Sequence, residues 1–322
     1  MKWMQTAGTF GCCLGMIVLG TSLTQAQLVP GTGQKIAGDD FEKVEWKYFY
    51  NHPKSSFNID KAHRQPFAGS NNGLFYEGAK RGTPDHVVRV KTPQGGLKGS
   101  KGSLLIQTLN SGIPGRTGGG LKEKQDDLIM RGQSMMVATS PSCVVRVYMP
   151  PFEKWNDKSD TSFGIRAACT TTIRKKSRGF LFSRNRKTTE EYWPGMFIQF
   201  NSKTDSNFKE DSAYFIIRGD MNGRDFRGPE IKKTGWWTIG MSFTPDGRVH
   251  YYAHPGIENL TQKDHIASHF PYGYKCERFS TMFFNVISKN NAKTWSTRWI
   301  IDDPTLYQNG FVRNASNNRY RR

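Results

Sequence analysis

The 322-residue chain carries 46 Lys and Arg against 27 Asp and Glu, a net charge of +19, with 36 % hydrophobic and 13 % aromatic residues. The charge biases its partners toward acidic ones without speaking to the fold, and the apolar and aromatic content suits a globular β protein. The five cysteines show no CxxC spacing, which argues against a cysteine zinc site, and no apolar run after the first 26 residues approaches membrane length.

In chain order, Lys2, the apolar or small stretch 7–19 and Thr24-Gln-Ala26 predict a secretory signal peptide over 1–26. Cys12 and Cys13 sit inside the apolar part rather than after it, which disfavours a lipoprotein. The expected location is therefore secreted, or periplasmic and cell-envelope. Residues 27–38 read as a flexible leader, 39–307 as one domain and 308–322 as a basic tail. Few periodic apolar residues occur in 51–86, so loops are expected there with one short strand at 74–76. A strand at 102–109, a Gly- and Lys-rich loop at 111–124 and a short strand at 126–130 come next.

Strand patterns then recur at 142–148, 162–168, 195–200, 214–218, 236–243, 248–253, 281–287 and 298–302, with turn signals such as Asn222-Gly223 between them. Residues 236–252 form the clearest hairpin. Trp237, Ile239, Met241 and Phe243 alternate with Trp236, Thr238, Gly240 and Ser242, and Pro245, Asp246 and Gly247 supply the turn. Residues 174–187 are basic with no acidic residue. They predict either a solvated insertion or a mobile flap with Phe180 and Phe182 as contact points. Residues 258–269 can form one short helix. No internal repeat is present. Cys143, Cys169 and Cys276 remain after signal cleavage; three allow at most one disulfide, and their apolar settings suit buried free thiols.

Asp39, Asp40, Phe41 and Glu42 with Trp46, the 236–252 hairpin, and Trp299-Ile-Ile-Asp-Asp-Pro304 together resemble the concanavalin A-like lectin/glucanase superfamily and jelly-roll carbohydrate-binding modules. The resemblance spans most of 39–307. It implies an antiparallel β-sandwich of jelly-roll type whose concave sheet face holds a glycan. The whole chain is also similar to uncharacterised exported proteins of planctomycete-type bacteria. A jelly roll brings its first and last strands together, so Glu42, Asp302 and Asp303 offer oxygen ligands for a structural Ca²⁺. The alternative is that Asp302 and Asp303 cap or salt-bridge locally before Pro304.

Several strands carry one polar residue among apolar ones: Arg146, Arg166, Gln199, Arg218 and Asn285. Alternation puts them on one face if the registers align, where arginines hold carboxylates or sulfates and amides bond hydroxyls. An ordinary solvated sheet face is the alternative. Trp193 is a sugar-stacking candidate or a core aromatic.

Catalysis has less support. The superfamily's Glu-x-Asp-x-(x)-Glu strand is absent, and Glu190 and Glu191, adjacent on a strand, point to opposite faces. In jelly-roll lyases a Gln-Ile-His strand works with a Tyr. Gln199 can stand for the glutamine, but Phe200 departs from the pattern, leaving His250 and Tyr252 as base and acid candidates. The His250/His254 and His265/His269 spacings lack the context of a metal site. Arg218-Gly-Asp220 reads as a turn, and Asn259 and Asn314 are glycosylation sequons only in a suitable host.

The sequence thus predicts an exported, single-domain, all-β jelly-roll sandwich that binds a polysaccharide, preferably an anionic one. A polysaccharide lyase or glycoside hydrolase acting at the same groove is the second reading. A structural envelope or matrix protein is the third.

Overall fold

Alternation with period two runs through nearly every ordered segment, and it decides the architecture. The computed structural model describes residues 28–54, 65–112, 125–177 and 184–310. The expected signal peptide, Phe180, Phe182, Asn314 and the tail beyond 310 lie outside the described residues. In chain order the strands are β1 (Gln34–Gly38), β2 (Tyr48–Phe49), β3 (Gly69–Ser70), β4 (Phe75–Glu77), β5 (His86–Lys91), β6 (Gly102–Gln107) and β7 (Gln125–Met130). Next come β8 (Met135–Met136), β9 (Ser142–Met149), β10 (Asp160–Ser177), β11 (Arg184–Tyr192), β12 (Gly195–Asn201) and β13 (Ser212–Arg218). The last six are β14 (Asp225–Glu230), β15 (Gly235–Phe243), β16 (Val249–Pro255), β17 (His265–His269), β18 (Arg278–Ile287) and β19 (Trp299–Gln308).

These strands form two antiparallel sheets. The first has the order β17-β16-β15-β9-β19-β6-β5, with β1 also on β19. The second has the order β14-β13-β12-β10-β18-β7-β4-β3-β2, with β11 on β10 and β8 on β18. The chain changes sheet between β1 and β2, β4 and β5, β6 and β7, on both sides of β9, between β14 and β15, and on both sides of β18. Strands distant in sequence therefore become neighbours, as in a jelly-roll β-sandwich. No helix among the described residues is long and apolar enough to cross a membrane.

The hairpin is present as β15 and β16, with register from Trp237↔Pro255 to Phe243↔Val249. Its turn closes through Gly247 N–H to Thr244 O at 2.8 Å, and Gly247 takes a φ of 85° that a side chain would strain. Trp237, Ile239, Met241 and Phe243 point into the core. Cys143, Cys169 and Cys276 are buried free thiols.

Four segments differ from the sequence reading. Residues 34–38, read as leader, pair with β19 at Gln34↔Gln308. Residues 86–91, given no element beyond the loops expected up to 86, are a strand on β6. Within the basic stretch, residues 174–177 and 184–187 continue β10 and β11, with Arg174 opposite Lys187, so backbone pairing outweighs like-charge repulsion there. Threonines at 170–172 and 188–189 favour that ribbon, and Lys175 meets Glu190 at 2.9 Å. Residues 258–269 form a one-turn 3-10 helix, Gln262–Asp264, and then β17. A reciprocal capping box between Thr261 and Asp264 closes that turn, and β16 captures residues 265–269 as an edge strand.

Aromatic side chains join the sheets. Trp299 of β19 stacks on Phe163 of β10 at 4.9 Å and meets Trp155 edge-on at 4.9 Å. Phe243 of the first sheet stacks on Phe279 of the second at 4.7 Å. Trp299 is fully buried, and its indole N–H has no partner among the described residues. Its packing therefore outweighs a desolvation cost of about 1–3 kcal/mol. Trp299→Ala should cost about 3–5 kcal/mol of unfolding free energy in a urea titration. An unchanged midpoint would show that this contact is not central to the core.

Candidate functional site

Inward parity on the second sheet fixes what its outer face displays. Ile165 and Ala167 of β10 join the core, so Gly164, Arg166 and Ala168 face out. Register then places Tyr76, Ile129, Phe283, Arg166, Gly195 and Arg218 in one row across β4, β7, β18, β10, β12 and β13. The next row holds Asp127, Asn285, Gly164 and Phe197. Both glycines are needed for close approach. A Cβ at Gly195 would lie 2.7 Å from the Arg166 side chain, and one at Gly164 would lie 2.4 Å from the Phe197 ring. Without them neither side chain could lie along the sheet.

A cleft of about 380 Å³ opens on this face, lined by Tyr76, Lys80, Arg81, Asp127, Arg166, Glu191, Trp193 and Phe283 among others. Arg166 is 7 % exposed. Its Nε and Nη2 donate to the Trp193 carbonyl at 3.3 and 2.7 Å, leaving Nη1 without a protein partner among the described residues. Its guanidinium lies 5.6 Å from the Phe197 ring and 5.5 Å from the Phe283 ring. Burial, and then Arg218, lower its pKa to about 10, so it remains a cation at neutral pH. Lys80 Nζ sits 3.9 Å from the centre of the Trp193 ring and 3.3 Å from Glu191. That ion pair is exposed and adds little stability.

Asp127 is the buried carboxylate of the cleft. Its Oδ1 accepts from Gln125 Nε2 and Asn285 Nδ2, both at 2.7 Å, and its Oδ2 lies 3.9 Å from Arg81 Nε. Burial pushes its pKa above the usual carboxylate range, against the pull of Arg81. The Asn285 Oδ1 is buried with no partner among the described residues.

Of the residues singled out from the sequence, Arg166, Asn285, Gln199, Arg218 and Trp193 belong to this sheet or its margin. Trp193 and Arg166 line the cleft together. Arg218 shares the row but is already paired bidentately with Asp225 at 2.9 and 2.8 Å. Gln199 lies along β12, where its Oε1 accepts from Thr161 at 3.1 Å.

Arg146, His250 and Tyr252 are elsewhere. Their strands, β9 and β16, belong to the first sheet, and their parity points them away from the core, so the whole sandwich separates them from Arg166. Arg146 is held by Asp303 at 3.0 Å and by Asn259 Oδ1 at 2.7 Å. Tyr252 is fully buried beside Val144 and Leu260, where burial pushes its pKa up to about 12. The expected grouping of Gln199 with His250 and Tyr252 is therefore corrected.

Lys80, Arg81, Tyr76, Phe283 and Asp127 escaped the sequence reading. The first three lie in or beside the stretch read as loop. Asp127 lacked the signal of the arginines, because it follows Gln125 and Asp126 rather than standing alone among apolar residues.

The calcium candidates do not fit an ion. Glu42 Oε1 accepts from the backbone N–H groups of Lys101 and Gly102 at 2.8 and 3.1 Å. Asp303 faces two cations, Arg146 at 3.0 Å and Lys35 at 3.7 Å. Asp302 accepts from Ser100 Oγ at 2.8 Å and from the Asp303 N–H at 2.9 Å. Among the described residues no group of three His, Cys, Asp or Glu side chains is placed to hold a metal. The local capping and salt-bridging alternative describes what these residues do.

Asp302 is 1 % exposed, and burial raises its pKa from 3.8 to about 6. The folded chain thus holds a proton that the unfolded chain has released. The stability from this group is complete below pH 3.8 and lost as pH rises through about 6. Asp302→Asn should remove that loss, which is on the order of 3 kcal/mol. Urea midpoints of the two proteins compared at about pH 5 and about pH 8 sample about 1.4 kcal/mol of it, and parallel pH dependences would refute it.

No protein-family model matches this chain, and no curated protein does. The likeness to planctomycete-type proteins therefore has no support in them. Among solved structures, the chain is similar to a carbohydrate esterase of the Shiga toxin-encoding bacteriophage phi24B, at 7 % identity and TM-score 0.42, covering 74 % of this chain and 92 % of that one. It is similar to an endo-1,3-β-glucanase of Streptomyces sioyaensis at 9 % identity and TM-score 0.34, covering 88 % and 99 %. It is also similar to an endo-β-1,4-glucuronan lyase of the fungus Trichoderma reesei at 10 % identity and TM-score 0.32, covering 71 % and 91 %. At these scores the fold rests on the chain's own strand order and sheet pairing.

Proposed function

We propose that the protein binds a polysaccharide in the cleft of the second sheet, and that the ligand bears carboxylate or sulfate groups. The observation that carries this reading is Arg166. Its guanidinium is held by the Trp193 carbonyl between two aromatic rings, with Nη1 unused by the described residues. A cation oriented in advance binds an oxyanion without first losing side-chain freedom. Lys80 and Arg81 add positive charge at the rim, and Trp193 and Tyr76 offer aromatic surface to sugar rings. The net charge of +19 favours encounter with acidic polymers. Export, expected from the first 26 residues, is part of this proposal because it brings the cleft to extracellular glycans.

One observation favours the lyase or hydrolase reading at the same groove: Asp127 is a buried cleft carboxyl whose raised pKa suits proton transfer. Its weakness is the second group. Glu191, the other carboxylate of the lining, is exposed and paired with Lys80.

Affinity electrophoresis through alginate, polyglucuronate and a neutral β-glucan tests the binding proposal. Retardation should be confined to the acidic gels and weaken with salt. Arg166→Gln and Lys80→Ala should each lower affinity at least about tenfold, a loss of about 1.4 kcal/mol. Arg248→Gln, on the hairpin turn of the other sheet, should leave it unchanged. Equal retardation by the neutral glucan, or wild-type affinity in Arg166→Gln, would refute it. Absence of binding to every glycan would favour the structural-protein reading.

A further inference from the structure

The outer face of the first sheet carries a second set of connected polar side chains, remote from the cleft. Ser142, Ser242, His250 and Ser268 stand in one row across β9, β15, β16 and β17. Ser268 Oγ lies 2.7 Å from His250 Nδ1 and 2.8 Å from His265 Nε2. On its far side, His250 Nε2 lies 2.8 Å from Thr244 Oγ1, and that hydroxyl donates to Asp246 Oδ1 at 2.5 Å.

The last bond sets the direction of the others. Thr244 has one proton and gives it to the carboxylate, so its oxygen accepts from His250 Nε2–H. A neutral imidazole protonated at Nε2 is bare at Nδ1. That bare nitrogen faces the Ser268 hydroxyl. The chain Asp246–Thr244–His250–Ser268 is therefore polarised toward the serine, as a nucleophile-and-base pair with an orienting group requires. His250 is 6 % exposed, and burial is the main cause lowering its pKa to about 4; His265 and Arg248 add to this and Asp246 opposes it. The imidazole is thus uncharged across the neutral range. The hairpin turn that places Asp246 and Thr244 is the same turn that pairs β15 with β16.

Ser268 is half-buried, on the edge strand of its sheet. An edge strand directs alternate backbone N–H groups away from its only neighbour, and such donors can steady an oxyanion. His265 stands on the other side of the serine oxygen.

We propose that Ser268 is a nucleophile toward carboxylic esters, with His250 as its general base. Ser268 Oγ bonds to the ester carbonyl carbon as its proton passes to His250 Nδ1. The tetrahedral intermediate collapses, the bond to the alcohol oxygen breaks, and that oxygen takes the proton from His250. Water then attacks the acyl-serine by the same proton route, releasing the acid and restoring the hydroxyl. Water is the sole co-reactant. Thr244 and Asp246 are positioning residues that hold the imidazole tautomer. This activity is independent of glycan binding in the cleft.

The test treats the full chain with a fluorophosphonate, maps the modified peptide by mass spectrometry, and follows 4-nitrophenyl acetate hydrolysis in parallel. Phosphonylation should fall on Ser268, disappear in Ser268→Ala, and slow at least about tenfold in His250→Gln. Thr244→Val should slow both reactions and Thr244→Ser should restore them, which a merely structural role for the methyl-bearing side chain would not produce. Because His250 is buried, circular dichroism accompanies each variant, and the Thr244 pair decides the matter if His250→Gln does not fold. Hydrolysis should keep its rate down to about pH 5, where an ordinary histidine base is already protonated. Folded wild-type protein with no label on Ser268 between about pH 5 and about pH 8, or labelling unaffected by Thr244→Val, would overturn the proposal.

Discussion

The inter-sheet aromatic contacts constrain everything else in this molecule. Trp299 against Phe163, Phe243 against Phe279 and Phe215 against Trp237 each join one sheet to the other. Once these rings face inward, parity along each strand leaves no choice for their neighbours, because a shift of one residue would exchange core and surface along the entire strand. The positions of Arg166, Asp127 and Ser268 all result from rings they never touch.

β7 shows the rule at its sharpest. Asp126 and Asp127 are adjacent carboxylates buried to a similar degree, yet they belong to different systems. Asp126 turns inward and is met by the buried Lys54 at 2.6 Å, with Asp85 3.0 Å from the same ammonium. That cluster ties residues 54, 85 and 126 together beneath the cleft. Such a pair stabilises little relative to an apolar replacement, but breaking it leaves a buried charge unpaired, which costs about 3–5 kcal/mol. Asp127 turns outward, where Asn285, Gln125 and Arg81 face it. One carboxylate serves the structure; the other lines the cleft.

The two outer faces also receive different treatment. Residues 28–31 lie over the first sheet, where Leu28 O accepts from Ser242 and Gly31 N–H donates to Ser142. Loop 93–96 covers Trp236, and residues 257–260 cover Arg146 and Tyr252. This face keeps buried polar clusters, including the histidine-flanked serine on its edge strand. The second sheet keeps an open cleft lined by cations and aromatic rings.

Much of the architecture was legible because alternation is a local property. The strands at 142–148, 195–200 and 236–243, the Pro-Asp-Gly turn and the inward set from Trp237 to Phe243 could be read without tertiary knowledge. The paired basic segments at 174–177 and 184–187 could not, since their charges argued for solvent while their extended shape came from backbone pairing. Nor could the edge strand at 265–269, whose conformation depends on β16 being present to receive it. The amino-acid sequence by itself determined which residues alternate, where turns fall, and that solitary polar groups interrupt apolar strands. Only the tertiary structure decided which sheet each strand joins. That choice set Arg146, His250 and Tyr252 on one side of the sandwich and Arg166, Asn285 and Trp193 on the other, because face membership depends on long-range pairing that no local pattern encodes.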